Sequence, residues 1–221
     1  MIKNLFVSLK EIFIVMLVQY FILILSDLFF GKDRVIIIGT IILSIFELIY
    51  IFIKIKNIKI EIKRMIYFPY ILLGISISLI YNMLLFRFNL QNTNIVSIPI
   101  YLDIISSCVI GPIFEELLFR YSYINSLSRF CKNKLVIILI SSFIFAILHS
   151  NIMTIIYAFI IGIINSYLYL KKKDILIPII VHMSANIITT FLFSYNSYIL
   201  ILGIILFIIS TISNIKFSYK E

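Results

Sequence analysis

Three groups of polar side chains interrupt otherwise apolar segments of this sequence, and their residue types could do chemistry. They contain both histidines of the chain, and they are Glu115-Glu116 with Arg120, Phe145 with His149, and His182 with Asn186. A charged side chain near the centre of a bilayer costs roughly 2.5 to 3.5 kcal/mol on insertion scales. A charge that is retained within an apolar segment therefore requires a reason.

A carboxylate, an imidazole and an amide in one pocket of low dielectric are suited to activating water against a carbonyl group. In this interpretation Glu115 is the general base, and His149 orients the water or ligates a metal. His182 and Asn186 then donate hydrogen bonds to the oxyanion of the tetrahedral intermediate. The sequence has no G-x-S-x-G and no acidic dyad on separate helices, which counts against serine and aspartyl mechanisms.

A divalent metal such as zinc is compatible with the same residues. Glu115, His149 and His182 would supply three ligands and leave the fourth position on zinc open. However, the H-E-x-x-H pattern that places two such histidines on one helix is absent. The ligand count permits zinc without requiring it.

The spacing of the polar residues also allows a purely structural interpretation. Residues four apart share one face of a helix, so Glu116 and Arg120 can form an ion pair. His182 and Asn186 are also four apart and could bond across helices, which would stabilise a bundle. Glu115 points about 100° away from Glu116, so it needs another partner or water.

The elements that carry these groups are transmembrane helices. The chain has 221 residues, of which 62% are hydrophobic and 13% are charged, and its mean hydropathy is +1.16. A spanning helix needs about 20 mostly apolar residues. Eight such runs occur, approximately Leu5 to Phe30, Val35 to Ile53, Ile66 to Phe86, Ile98 to Phe119, Leu135 to His149, Ile152 to Leu170, Ile175 to Phe193 and Tyr198 to Ile215. The predicted fold is all-α, a polytopic helical bundle in a single membrane domain over residues 1–221.

The net charge of +9 does not indicate nucleic-acid binding, because the basic residues lie between the apolar runs. With the N-terminus inside, sixteen of the nineteen Lys and Arg residues fall in cytoplasmic segments, and only Lys32, Arg34 and Arg87 lie outside. The positive-inside rule therefore predicts that both termini are cytoplasmic. The expected surroundings of the protein are the lipid bilayer and its headgroups, with no nucleic acid.

The predicted helices allow the three groups to meet at one depth. At 1.5 Å per residue, Glu115, His149 and His182 lie roughly 18, 22 and 12 Å from the cytoplasmic side of a core about 30 Å thick. Gly111-Pro112 should kink the fourth helix and free backbone carbonyl groups there. Three other acids, Asp27, Glu47 and Asp103, lie near predicted helix ends and are assigned no chemistry.

The three groups, taken in order along successive hydrophobic segments, resemble the motifs of a known family. Glu115-Glu116-x-x-x-Arg120, Phe145-x-x-x-His149 and His182-x-x-x-Asn186 are similar to the signature of the CAAX protease and bacteriocin-processing membrane proteases, also called the Abi family. The resemblance spans residues 111–186, and the first four spans up to the kink match in hydropathy only. One departure is Tyr121, which follows Arg120 where many relatives have Gly.

The resemblance implies an intramembrane metalloprotease, similar to type II CAAX prenyl endopeptidases, whose cavity opens toward the cytosol. It implies Glu115 as the base, His149 as its partner, and His182 and Asn186 at the oxyanion. Glu116, Arg120 and Phe145 would brace the site. The expected substrate is a membrane-associated peptide or protein, cleaved in CAAX-type processing, in pheromone or bacteriocin maturation, or in immunity. The expected location is a bacterial plasma membrane.

Two other classes of protein could retain the same polar residues. A non-catalytic immunity or scaffold protein would use them as contacts between helices. A cation or proton transporter would use the acids as a relay, although transporter folds usually show internal repeats and paired broken helices. Glu115→Gln separates the enzyme from the scaffold, because this substitution preserves the shape of the side chain and removes its basicity.

Overall fold

The computed structural model describes residues 2–30, 32–58, 67–90, 98–192 and 194–218. Within these ranges the chain is all-helical and contains no strand, so the predicted fold class is confirmed. Eight helical elements follow one another, and we number them in chain order: α1 (Ile2–Phe30), α2 (Lys32–Ile55), α3 (Phe68–Arg87), α4 (100–127), α5 (Lys134–Ile147), α6 (Ile152–Lys172), α7 (Leu176–Thr190) and α8 (Ser197–Ser218).

The eight elements coincide with the eight predicted apolar runs, but they differ in length. Five of them, α1, α2, α3, α6 and α8, are long and apolar enough to cross a membrane by themselves. The apolar helices α5 and α7 are shorter, with 14 and 15 residues. The count of about eight spans and the cytoplasmic termini remain predictions. The predicted start of the third span, Ile66, and the basic residues Lys59, Lys63 and Arg64 lie outside the described residues.

Helix α4 is continuous but contains two stretches of wider, π-helical turns, at Ile104–Ile110 and Leu117–Ile124. In a π-helical turn the N–H of each residue bonds the carbonyl oxygen five residues earlier. Pro112 has no N–H, so it cannot bond the Ser107 carbonyl in this pattern. The side-chain amide of Asn186 on α7 donates to that oxygen instead, over 2.8 Å. The carbonyl group that Pro112 leaves unbonded thus becomes a hydrogen-bonded contact between α4 and α7.

The first half of the core lies around α4, which contacts α1, α2, α5, α6 and α7. Phe114, Leu118 and Phe119 on α4 are at most 2% exposed. The Phe114 ring meets Tyr50 of α2 edge-on at 5.1 Å, and the Phe119 ring meets Phe145 of α5 at the same distance. These contacts hold Glu115 and Glu116, which lie between Phe114 and Phe119 in the sequence, at the centre of the bundle.

Helices α3 and α7 pack against each other, and Gly74 allows their close approach. A Cβ atom at Gly74 would overlap Ser184 Oγ and the backbone carbonyl oxygen of Val181. The hydroxyl group could rotate away, but the backbone could not. The position of α7, which carries His182, therefore depends on the absence of a side chain at Gly74.

We expect Gly74→Ala to destabilise the protein by roughly 1 to 3 kcal/mol, because overpacking forces α3 and α7 apart. Gly39→Ala is the matched control, since its Cβ would meet no atom closer than 3.7 Å and alanine favours a helix. Thermal unfolding of both variants in detergent measures the difference. Equal unfolding temperatures for the two variants would show that the α3–α7 contact tolerates a methyl group.

Candidate active site

A cavity of about 700 Å³ lies between α2, α4, α6 and α7. Glu115, His149, His182 and Asn186 all line it. These are the four residues that the sequence predicts as catalytic, and they come from α4, α7 and the short connection between α5 and α6. The fold therefore brings at least one residue of each of the three motifs to the same cavity.

Glu116 does not line this cavity, and its carboxylate contacts three other side chains. Its Oε1 atom accepts hydrogen bonds from His182 Nδ1 and from Asn165 Nδ2, each at 2.9 Å. Its Oε2 atom lies 3.0 Å from Arg120 Nε, and both side chains of this ion pair are fully buried. The Glu116 carboxylate thus connects α4 to α6 and α7.

The Arg120 guanidinium is held on two further sides. Nη2 donates to the Gly162 carbonyl oxygen of α6 at 3.4 Å, and the guanidinium carbon lies 4.6 Å from the centre of the Phe145 ring. A cation over an aromatic face is attracted by the ring quadrupole. A buried charge is tolerated where it is paired and hydrogen-bonded. Arg120 is paired with Glu116 and donates one hydrogen bond through Nη2, while Nε and Nη1 have no hydrogen-bond acceptor among the described residues.

Phe145 is the aromatic residue around which the site is arranged. Its ring is 5.1 Å from the His149 ring and 5.9 Å from the His182 ring, in edge-to-face geometry in both cases. It also packs under Arg120. Phe145 therefore separates the two imidazoles and fixes the orientation of each.

His149 lies in the connection between α5 and α6, where it lines the cavity. Helix α5 ends at Ile147, and α6 is started by Asn151, whose side chain accepts a hydrogen bond from Thr154 N at 2.9 Å. An Asn at this position is a preferred helix N-cap. The connection is therefore short, and His149 within it is only partly exposed.

The hydrogen bonds of the two histidines define which ring nitrogen faces the cavity. His149 Nδ1 lies 3.1 Å from the Phe145 carbonyl oxygen, which can only accept, so this nitrogen carries the hydrogen. His182 Nδ1 likewise donates to the Glu116 carboxylate. In the neutral form of each ring, Nε2 is then the free acceptor. Both imidazoles present the same atom to the reaction space.

Glu115 does not share the Arg120 partner of Glu116 and lies near His182 instead. Its Oε2 atom lies 3.7 Å from His182 Nε2, and its side chain is 33% exposed. This distance is longer than a direct hydrogen bond, and a contact of this length is often bridged by water. His182 therefore lies between the two glutamates, with one nitrogen directed to each.

Asn186 is partly engaged elsewhere. One N–H of its amide is used by the Ser107 carbonyl oxygen, which leaves the second N–H and the amide oxygen for other partners. The residue lines the cavity with His182, four positions earlier on α7. Its contact with α4 holds this amide in place.

Three polar residues of the site were assigned no role from the sequence. Asn165 on α6 is fully buried against Glu116, and Glu47 and Asp103 line the cavity. Glu47 also accepts a hydrogen bond from Gln19 of α1 at 3.1 Å. A signal was available, since Gln19 and Asn165 are amides in the interior of apolar runs, where polar groups seek partners.

The described residues do not fit a three-ligand metal centre. No group of three His, Cys, Asp or Glu side chains among them is arranged so that it could hold a metal ion. Glu115 and His182 are adjacent, but they do not form such a group with His149.

Comparisons with known proteins place this geometry in context. Residues 97–188 match the family model described as "Type II CAAX prenyl endopeptidase Rce1-like". The chain is also 31% identical to the membrane-embedded CAAX protease MroQ of Staphylococcus aureus (strain USA300), over 62% of this chain and 64% of that protein. The aligned part is thus slightly less than two thirds of the relative's length. No solved structure matched.

These similarities confirm the resemblance to the CAAX protease and bacteriocin-processing family. The matched segment begins just before α4 and ends within α7, so it contains all three motifs. Together with the apolar helices, the similarities also support a multi-pass integral membrane protein.

Proposed function

We propose that this relative of the type II CAAX prenyl endopeptidases is an intramembrane endopeptidase, which hydrolyses a peptide bond of a membrane-associated peptide or protein. One observation carries the proposal most directly. Glu115, His149, His182 and Asn186 line one cavity of about 700 Å³. Ligand sites in proteins commonly have volumes of about 300 to 1,000 Å³.

In the proposed reaction Glu115 acts as the general base. Its carboxylate takes a proton from a water molecule as the water oxygen attacks the carbonyl carbon of the scissile bond. The His149 ring orients this water, because its Nε2 atom is an acceptor in the neutral form. The proton on Glu115 then passes to the leaving nitrogen as the carbon–nitrogen bond breaks, which regenerates the carboxylate.

His182 and Asn186 stabilise the negative charge that develops on the carbonyl oxygen. When His182 carries its second proton, Nε2–H becomes a donor, while Glu116 at Nδ1 compensates the charge of the imidazolium. A carboxylate behind a histidine has this effect in serine hydrolases. The free N–H of Asn186 is the second donor, in the manner of side-chain amides in oxyanion holes.

The alternative, a non-catalytic immunity or scaffold protein, explains only part of the arrangement. Interhelical contacts account for Glu116, Arg120 and Asn165, which are fully buried and mutually connected. They do not account for Glu115 and His149, which are partly exposed to the cavity and have few protein partners. The Glu115 carboxylate in the cavity thus favours an enzyme over a scaffold protein.

The function is tested with the purified protein in liposomes and a mixed-sequence library of peptides that carry a membrane anchor. We expect mass spectrometry to find new termini at a consistent position in a subset of the peptides. Candidate natural substrates are pheromone or bacteriocin precursors of a bacterial plasma membrane. If no anchored peptide is cleaved, with or without added zinc, the endopeptidase assignment is wrong.

The predicted cytoplasmic termini give a labelling pattern in cells. In this topology Asp103, Thr154 and Leu192, which line the cavity, lie at helix ends next to the outer loops, so the cavity would open away from the cytosol, against the expectation from the resemblance. Single cysteines are introduced at Asn57, Lys173 and Asn196, which are all exposed, in a background where Cys108 and Cys131 are replaced by Ala. With cytoplasmic termini, an impermeant thiol reagent should label only the cysteine at position 196. External labelling at position 173, in the loop between α6 and α7, would invert the topology.

A further inference from the structure

A further cavity lies away from the candidate active site. It has a volume of about 310 Å³, and its lining comes from the beginning of α3 and the C-terminal parts of α6 and α8. It shares no residue with the cavity that contains Glu115 and His149. In the predicted topology these three helix ends all lie on the cytoplasmic side of the membrane.

The cavity lies where α6 and α8 are held apart. Helix α8 packs closely against α3, and α6 packs against α5 and α7, while the cavity separates α6 from α8. Leu73 and Leu168 in its lining belong to a buried apolar cluster of α3, α6 and α7. An empty space beside such a cluster loses dispersion contacts, so an apolar group gains by filling it.

The lining changes from apolar to basic along α6. Ile163 lies at one end of the cavity and Lys171 and Lys172 at the other, and the eight residues between Ile163 and Lys171 span roughly 12 Å of helix. Helix α8 has the same order, since Phe207 precedes Asn214. One end of the cavity therefore suits the apolar interior of a bilayer, and the other end suits its headgroups.

The charge at the polar end is positive. Lys171 is exposed, and its ammonium lies 5.6 Å from the centre of the Tyr167 ring, within the range of a cation–π contact. Lys172 beside it is partly exposed. No carboxylate among the described residues lines the cavity, and the neighbouring Asp174 accepts a hydrogen bond from the Tyr67 hydroxyl. The polar end therefore attracts an anion.

We infer that this cavity binds an anionic phospholipid of the bilayer. The phosphate binds Lys171 and Lys172, and an acyl chain packs along Leu73, Ile163 and Phe207. Basic pockets between transmembrane helices recognise anionic headgroups, and the acyl chain is held by the hydrophobic effect. A free phosphate ion is a poorer occupant, because it leaves the apolar end empty. The inference does not depend on the proposed function, since it uses no residue of the active site.

The inference is tested by the binding of phosphatidylglycerol to the purified protein in detergent. Native mass spectrometry detects the lipid that stays bound, and a titration followed by thermal unfolding gives its apparent affinity. We expect phosphatidylglycerol to stay bound and to raise the unfolding temperature at concentrations where phosphatidylcholine does neither. Equal stabilisation by phosphatidylcholine, or by inorganic phosphate without lipid, would refute the site.

A pair of double variants tests the two lysines. Lys171→Gln with Lys172→Gln should weaken phosphatidylglycerol binding roughly 30-fold, because each basic residue near an anionic surface contributes about fivefold. Lys132→Gln with Lys134→Gln is the control, since both residues are exposed before α5 and neither lines the cavity. The control should bind like the wild type. Equal weakening in both variants would show that only the net charge attracts the lipid.

A second pair tests the cavity and leaves the lysines unchanged. Thr211 is exposed on α8 and lines the cavity, so Thr211→Trp should fill it and weaken binding about 15-fold, the equivalent of two methylene groups that are no longer buried. The neighbouring Ile212 is 48% exposed and does not line the cavity, so Ile212→Trp should bind normally. Unfolding without lipid checks that each variant is folded. Normal binding by the Thr211→Trp protein would place the lipid outside the cavity and overturn the inference.

Discussion

Replacing Glu115 with Gln should reduce peptide cleavage by about 10²-fold to 10⁴-fold, the usual contribution of a general base. The amide preserves the size and most of the hydrogen bonding of the carboxylate, but it cannot take a proton from water. Glu115 is 33% exposed, and its nearest charged partner is 3.7 Å away. We therefore expect the thermal unfolding temperature in detergent to remain close to that of the wild type.

The measurement is the single-turnover rate on an anchored peptide, combined with the melting curve of the same preparation. Glu11→Gln is a suitable control, since Glu11 accepts a hydrogen bond from Tyr50 but does not line the cavity that contains Glu115. It should leave the rate unchanged. A Glu115→Gln protein that cleaves peptide at the wild-type rate would remove the base from the mechanism and favour a scaffold.

Replacing Glu116 with Ala should affect stability far more than Glu115→Ala. Breaking a buried ion pair by removing one partner costs about 3 to 5 kcal/mol, because the other charge is left uncompensated. Here the loss strands Arg120 and also removes the acceptor of His182 and Asn165. Glu115→Ala breaks no fully buried ion pair, because the Glu115 side chain is 33% exposed, and removing an incompletely paired carboxylate also removes its desolvation cost.

Thermal unfolding in detergent separates the two alanine variants, and a further pair tests the reason. Glu116→Gln retains an amide oxygen that can accept from His182 and Asn165, but it places an NH2 donor opposite the Arg120 guanidinium, so both the charge and the acceptor are lost there. The double variant Glu116→Leu with Arg120→Met replaces the ion pair by apolar groups, which is often nearly neutral, and should recover part of the stability. A sharp destabilisation by Glu115→Ala alone, with none from Glu116→Ala, would reverse the roles of base and brace.

Much of the fold follows from composition and periodicity. Eight apolar runs predict eight helices, and the described residues contain eight helical elements in the same places. The agreement arises because a backbone within lipid must satisfy its own hydrogen bonds, and a helix does so locally. The free carbonyl group expected at Gly111-Pro112 follows equally from local chemistry, since Pro112 lacks the N–H that would bond the Ser107 carbonyl oxygen. Helix α4 is continuous through this point, and the expected kink stays a prediction.

The identity of the polar residues at the site also follows from the sequence, because charged or imidazole side chains in apolar segments are costly and require partners. The i, i+4 spacing is enough to predict the contact between Glu116 and Arg120, which the structure shows at 3.0 Å. Spacing along one helix cannot predict contacts between helices. For that reason the sequence did not indicate that Asn165 binds Glu116, or that Gln19 binds Glu47.

Only the tertiary structure showed which histidine contacts each glutamate. The sequence suggested His149 as the partner of Glu115, whereas the structure places His182 between Glu115 and Glu116, with one ring nitrogen directed to each. It also showed that Asn186 holds the Ser107 carbonyl oxygen. These features depend on the packing of α4, α5 and α7 against one another. Residue types and spacing determine which groups need partners, but only the packing of the helices selects among the partners available.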